Sequence, residues 1–322
     1  MIDADDLALL TTSFEAAMER SGDRRAVDAA LFDLGWSDLI DVAPRVGAAA
    51  AFELLGATNS PASLLDDVVA ASLGLPVSLD TCIVLPAPTR ADPAGRAASG
   101  RLQIDGLASA RIDTAQRVIA PASSDGAIVL VELAPDRLGA PRRNGLDAAG
   151  PFRRVMGADL EFDVATVVDG SAWHDAVRDA RTALAHQLIG ASRRMLGLAQ
   201  AHAMDRIQFG RSIASFQAVR HKLAESLVAI EAAAAAADAA VGGSDDLVAA
   251  LAKSLAGKAA RVTATQAQQV LAGIGFTAEH PFHLLLKRTM VIDTLFGSAR
   301  TLPAEIGRAL LAQRSAPRLI EL

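Results

Sequence analysis

The sequence predicts a mainly α protein with a small β domain in its middle. Three observations carry this. Apolar residues recur at three- and four-residue spacings over both ends of the chain, as on one face of a helix. Between residues 85 and 165 that spacing gives way to short apolar runs bounded by glycine, proline and aspartate, which is strand punctuation. The chain is also rich in alanine, the strongest helix former, and 51% of its 322 residues are hydrophobic, enough to fill a large core.

Residues 1–84 read as an N-terminal helical domain. Leu7, Leu10, Phe14 and Met18 share one helical face, and Phe32, Leu34, Trp36, Leu39 and Ile40 add apolar anchors. Residues 48–55 form a compact alanine-rich helix. Ser60-Pro61 reads as a helix start, with Leu64, Leu65, Val68 and Val69 behind it.

Residues 85–165 read as the β domain, entered through Pro86, Pro88, Pro93 and Gly95. Leu102, Ile104 and Leu107 mark one strand, Val118 and Ile119 another, and residues 127–133 a third. Leu160, Phe162 and Val164 alternate with Glu161 and Asp163 and make the last strand.

Residues 166–322 return to helix, with candidates at 173–205, 216–241, 244–270, 281–296 and 303–312. Gly242-Gly243 separates the second from the third. Ser244 is placed to cap the third helix, with Asp245 and Asp246 in the first turn. Long helices with short links make a bundle.

Composition excludes several functions. A net charge of −6 lacks the basic excess of a nucleic-acid surface, and two tryptophans with no tyrosine leave few stacking platforms. Cys82 stands alone, so no intramolecular disulfide forms, and it reads as a buried thiol. No metal site is predicted: His280 and His283 lie close together, but no third ligand has suitable spacing. The start, M-I-D-A-D-D, is acidic and lacks a charged-then-apolar leader, and no long apolar run marks a membrane span. A soluble cytoplasmic protein is the expectation.

The most informative stretch is R-I-Q-F-G-R-S-I-A-S-F-Q-A-V-R-H-K-L-A-E, residues 206–225. A Phe-Gly turn with backbone amides beside a fixed guanidinium suits a diphosphate. Phe216, Val219, Leu223, Leu227 and Ile230 then give an amphipathic helix. On periodicity alone this reads as a helix-loop-helix corner with an exposed arginine. The pattern R-x-x-F-G-x-x-I-x-x-F-Q-x-x-x-x-x-L-A-E resembles a segment in the C-terminal domain of flavin-dependent acyl-CoA dehydrogenases. A second element agrees: Q-V-L-A-G-I-G-F-T-A-E-H, residues 269–280, resembles that family's Q-x-x-G-G-x-G-F-T-x-E-H, with Ala272 where its first glycine would stand.

The resemblance covers roughly half the chain, residues 166–322, in the correct order. It implies an N-terminal helical domain, a middle β domain and a C-terminal four-helix bundle, with FAD as cofactor and an acyl-CoA as substrate. Carried over residue by residue, it makes Arg206, Gln208, Phe209, Gln217, Gln269 and Gly273 cofactor contacts. Gly273 matters there if the backbone approaches closely or takes a positive φ; it is otherwise an ordinary helix-ending glycine.

The departures from the family are as informative. Its catalytic glutamate falls at Phe296 in one class of members and near Ala180 in another, and neither residue accepts a proton. Asp179 and Asp293 stand nearby; each reads as a solvated helix carboxylate or as an unusual base, and no lysine or arginine lies one turn from Asp293. Glu279 matches a structural residue. The T-E-P-x-x-G-S-D and W-I-T-N runs that seat the flavin ring are missing, and the β domain is short. No catalytic residue is assigned.

This uneven retention resembles the short, non-catalytic subunit of actinobacterial heteromeric (α2β2) acyl-CoA dehydrogenases, which act on steroid side-chain CoA thioesters. In the family the two motifs reach across a dimer interface to the neighbour's FAD. The resemblance therefore implies a longer paralogue as partner and an electron-transfer flavoprotein as electron acceptor. A homomeric dehydrogenase with an unusual base, and a flavin-free scaffold or regulatory protein, are the alternatives.

Overall fold

A computed structural model describes residues 3–20, 23–138, 145–147, 150–162 and 165–314. Its architecture is mainly α with one small sheet region, as the spacing of apolar residues predicts. Among the described residues five helices come first: α1 (Ala4–Glu19), α2 (Arg24–Asp33), α3 (Trp36–Val42), α4 (Pro44–Thr58) and α5 (Leu64–Ser72). The described residues then form seven strands: β1 (Thr81–Pro86), β2 (Gly95–Ala98), β3 (Arg101–Ser109), β4 (Arg117–Ser124), β5 (Ala127–Leu133), β6 (Phe152–Glu161) and β7 (Ala165–Val168). Then come α6 (Gly170–Asp205), a hairpin of β8 (Ile207–Gln208) and β9 (Arg211–Ser212), α7 (Gln217–Gly242), α8 (Asp246–Leu271), α9 (Phe282–Asp293) and α10 (Leu302–Gln313).

The chain divides into two compact units. The first takes its residues from Met1–Ala48, Pro61–Ala180 and Thr294–Gly297. In it β1 and β2 both bridge β3 to β4: each runs antiparallel to β3 and parallel to β4. β6 lies outside β3, and β5 with β7 extends the sheet beyond β4. Cys82, Val84, Leu102, Ile104, Val118, Ala120 and Val131 fill its core. The helical part packs on Phe14, Leu31 and Trp36, each fully buried, with the Phe14 and Trp36 rings edge-on at 6.2 Å.

The second unit takes its residues from Ala49–Ser60, Arg181–Asp293 and Ser298–Leu322. Here α4 crosses α6 closely through two glycines. A Cβ on Gly56 would lie 2.0 Å from the Gln187 carbonyl oxygen, and one on Gly190 would lie 2.0 Å from that of Glu53. Only glycine allows that approach. Ala191, Met195, Ala199, Ala267, Leu271, Phe282 and Leu285 make the core of this unit.

Several boundaries differ from expectation. α5 starts at Leu64, with Ser63 at its N-cap position, rather than at Ser60-Pro61. The cap of α8 is Asp245, whose carboxylate accepts the Leu247 amide at 2.8 Å, not Ser244. α9 ends at Asp293, three residues before Phe296, where φ turns positive. β1, β2 and β7 have no counterpart among the expected strands. Leu160 lies on β6, while Val164 falls outside the described residues. Cys82 is fully buried as predicted, and burial pushes its thiol pKa up. Among the described residues no helix is long and apolar enough to cross a membrane.

Candidate functional site

The first motif folds as a tight hairpin between two long helices. α6 ends at Asp205, where the Arg206 amide still donates to the His202 carbonyl at 2.9 Å. Ile207 then pairs with Ser212 and Gln208 with Arg211, leaving Phe209-Gly210 as a two-residue loop. Both loop residues have positive φ, 54° and 77°. That is the mirror-image turn that matches strand twist, and it strains a phenylalanine. The Ile213 amide donates to the Arg206 carbonyl at 2.9 Å and closes the loop. Phe209 stays 89% exposed, edge-on to Phe216 at 6.1 Å, and the Arg211 guanidinium lies 4.4 Å over the Phe216 ring.

The second motif breaks a helix. α8 runs through Gln269 to Leu271 and stops at Ala272, which takes φ 52° and ψ −131°. The Gln268 amide group donates back to the Ala272 carbonyl at 3.2 Å. The unusual backbone thus falls at Ala272, one residue before Gly273, where it was anticipated. Gly273 itself is open: a Cβ there would meet nothing within 4 Å. The close approach belongs to Gly275, whose Cβ would lie 2.5 Å from Gln268 Nε2. The positive φ and the close approach considered for Gly273 fall instead on Ala272 and Gly275.

The two motifs meet. Arg206, Gln208 and Phe209 from the hairpin and Gln269 and Gly273 from the end of α8 line one open cavity of about 690 Å³. Ile213, Phe216 and Ile274 give it apolar walls. Its volume lies within the range of small-ligand sites. Gln217, exposed at the start of α7, does not line it. His202 and Lys222 do, and neither was anticipated. Their signal was spacing: His202 lies one turn before Arg206, and Lys222 one turn after Val219. The α7 stripe is buried at Ile230 but 47% exposed at Leu227, with Val228 beside it 69% exposed.

The positions matched to the family base are closed. Ala180 is fully buried on α6. Phe296 is 1% exposed with φ 54°, and its ring tilts against Trp173 at 6.5 Å. Trp173 is itself tied by Nε1 to the Ala91 carbonyl at 3.0 Å.

Neither nearby aspartate is solvated. Asp179 Oδ1 accepts from Arg45 Nε at 3.1 Å and Arg178 Nε at 3.2 Å, and Oδ2 accepts from Ser72 at 3.0 Å. Asp293 Oδ1 accepts the Ala299 amide at 3.0 Å, with Arg261 3.7 Å from Oδ2 and Lys253 4.0 Å from Oδ1. Of the two readings the sequence left open for them, the solvated helix-face carboxylate is not what the structure shows, since partners such as Arg45, Ser72, Lys253 and Arg261 come from other elements. Lys253 is fully buried and donates to the Asp293 carbonyl at 3.0 Å. Burial, opposed by Asp293 and reinforced by Arg181, holds its pKa down at about 8. Glu279 is exposed. His280 Nδ1 accepts the Phe282 amide at 3.2 Å, so it caps α9. Among the described residues no group of three side chains is placed to hold a metal.

Residues 172–311 match the family described as acyl-CoA dehydrogenase, C-terminal domain. The chain carries an acyl-CoA dehydrogenase C-terminal domain on an acyl-CoA dehydrogenase fold. Acyl-CoA dehydrogenase FadE34 of Mycobacterium tuberculosis is 36% identical over 221 residues, which is 64% of this chain and 30% of FadE34. The chain thus matches less than a third of the length of that relative. A structure described as the Tcur3481-Tcur3483 steroid ACAD G363A variant superposes with a TM-score of 0.81 at 19% identity, covering 97% of this chain and 99% of the other. The ChsE4-ChsE5 complex from Mycobacterium tuberculosis gives 0.76 at 18% identity, covering 98% and 99%. At these identities the likeness speaks for the acyl-CoA dehydrogenase fold.

Proposed function

We propose that this chain is the non-catalytic subunit of a heteromeric FAD-dependent acyl-CoA dehydrogenase. It pairs with a longer paralogue as an α2β2 assembly and completes the FAD site seated on that partner. One observation carries the reading: the residues suited to a dinucleotide gather on one open cavity, while the positions of the family base hold buried Ala180 and Phe296.

The cavity fits FAD by its chemistry. The Arg206 guanidinium is exposed, with no ion pair among the described residues, and suits a diphosphate. Gln208 and Gln269 offer amides, Phe209 an exposed ring, and Gly273 a backbone with no side chain in the way. Lys222 adds a second cation, already bonded to Gln266 at 3.1 Å. Bound FAD supplies a hydride acceptor, so that loss of an α-proton to the partner's carboxylate leaves an α,β double bond in the acyl-CoA. This chain's residues bind and orient; they move no proton. Asp179 and Asp293, with their oxygens already engaged, support placing the base on the partner.

The steroid ACAD and the ChsE4-ChsE5 complex among the structural relatives support a steroid side-chain CoA thioester as substrate and a paralogous subunit as partner. An electron-transfer flavoprotein would then take the electrons. Absorbance spectra of the chain purified alone and after co-expression with a longer paralogue test the proposal. Flavin bands in the complex only are expected. Flavin with turnover in the lone chain, or no flavin in either preparation, overturns it.

A further inference from the structure

We propose that the buried cluster of Asp28, Asp66, Asp67 and Arg111 is a proton-operated clasp, in which a proton on Asp66 relieves the excess negative charge held between α5 and β1. The argument begins with charge. Three carboxylates face a single guanidinium, and all four side chains are 5% exposed or less. Fully ionised, the cluster holds an excess of negative charge away from water, which is costly.

Geometry divides the roles. Asp67 takes the guanidinium, receiving Arg111 NH1 and, at 2.9 Å, NH2; it also accepts Trp36 Nε1 at 3.0 Å. Asp28 accepts the Ser63 amide at 2.8 Å and stands 4.0 Å from Arg111 Nε, which has no hydrogen-bond partner. Asp66 has no guanidinium of its own. Its Oδ1 accepts the Ile83 amide of β1 at 2.8 Å. Of the three carboxylates it is the one left to carry the surplus charge.

The ionisable groups that face it are Arg111 on the turn after β3, Asp67 beside it on α5, and Cys82 on β1. Asp28 on α2 faces the same guanidinium, with Arg24 near it. Burial raises Asp66 to about 6 even against the pull of Arg111, and it raises Asp28 as well. A carboxyl raised on folding binds its proton more tightly in the native state. Its stabilisation is therefore complete below the unfolded value near 3.8 and is lost as pH rises through about 6. Linkage between those two values makes the folding constant about tenfold larger at pH 5 than at pH 7.5 through Asp66 alone.

The test is urea unfolding of the full chain at both pH values, for the native sequence, Asp66→Asn and Asp28→Asn. The expected result is that Asp66→Asn, which keeps an acceptor for the Ile83 amide, loses about tenfold of the acid-side gain, whereas Asp28→Asn keeps that tenfold and loses only the contribution of Asp28 itself. If Asp66→Asn shows the native pH response, or if only Asp28→Asn loses it, the proposal is overturned. Should Asp66→Asn fail to fold, the Ile83 amide of the native chain is the probe. Its NMR shift should titrate with a midpoint near pH 6, and a flat shift between pH 5 and 7.5 overturns the proposal.

Discussion

Ala272→Gly should make this protein more stable, against the usual effect of placing glycine in regular structure. Ala272 holds φ 52° and ψ −131°, a backbone region in which a side chain costs about 1–3 kcal/mol. Its methyl is exposed, so removing it gives up little burial. Against the relief stands the greater freedom of glycine in the unfolded chain, about 0.4–1 kcal/mol. The balance is a gain of about 1 kcal/mol, or roughly fivefold in the folding constant. Urea unfolding of both proteins with equal denaturant slopes measures it. A loss of about 1 kcal/mol, the ordinary penalty of glycine in regular structure, would refute the reasoning. The substitution also restores the family's first glycine, so flavin retention by the complex should not fall.

Three further outcomes are expected. Phe296→Glu and Ala180→Glu should confer no dehydrogenase activity on the lone chain and should lower its melting temperature, since both sites are almost wholly buried and a carboxylate there loses its hydration; any turnover above background contradicts this. Asp179→Asn and Asp293→Asn should leave the complex with far more turnover than loss of the partner's glutamate does; a drop of about 1,000-fold with flavin content unchanged would make one of them the base. Lys253 is held at about 8, so above that pH the folded chain has released a proton that the unfolded chain retains, and stability should rise with pH. Relative to Lys253→Met, the native chain should gain about 2 kcal/mol between pH 8 and pH 10 in urea unfolding; parallel pH profiles would refute it.

What the sequence made legible follows from how local each signal is. The long helices α6, α7 and α8 could be read within a few residues because alanine content and three-to-four spacing lie within each segment. β1 was missed because all six of its residues are buried, so Cys82-Ile83-Val84-Leu85 shows no alternation. In the site, Arg206, Gln208, Phe209, Gln269 and Gly273 could be named from two motifs, since each motif is one continuous turn. That the motifs share a cavity required the fold. The ties of Asp179 were out of reach of the sequence because Arg45 and Ser72, which hold it, lie more than 100 residues away. The positive φ at Ala272 had no residue-type signal, since alanine rarely adopts it.

The central claim is that this chain's Arg206 holds the cofactor of a partner subunit. Flavin retention through dialysis, measured on the complex with Arg206→Ala, tests it most directly. The guanidinium is on the surface and fills no core volume, so secondary structure and melting temperature should hold. A lost charge-assisted contact of about 1.5–3 kcal/mol should weaken flavin binding about 10- to 100-fold, with Arg206→Lys falling between because it lacks the planar fork. An Arg206→Ala complex that keeps its full flavin would contradict the account.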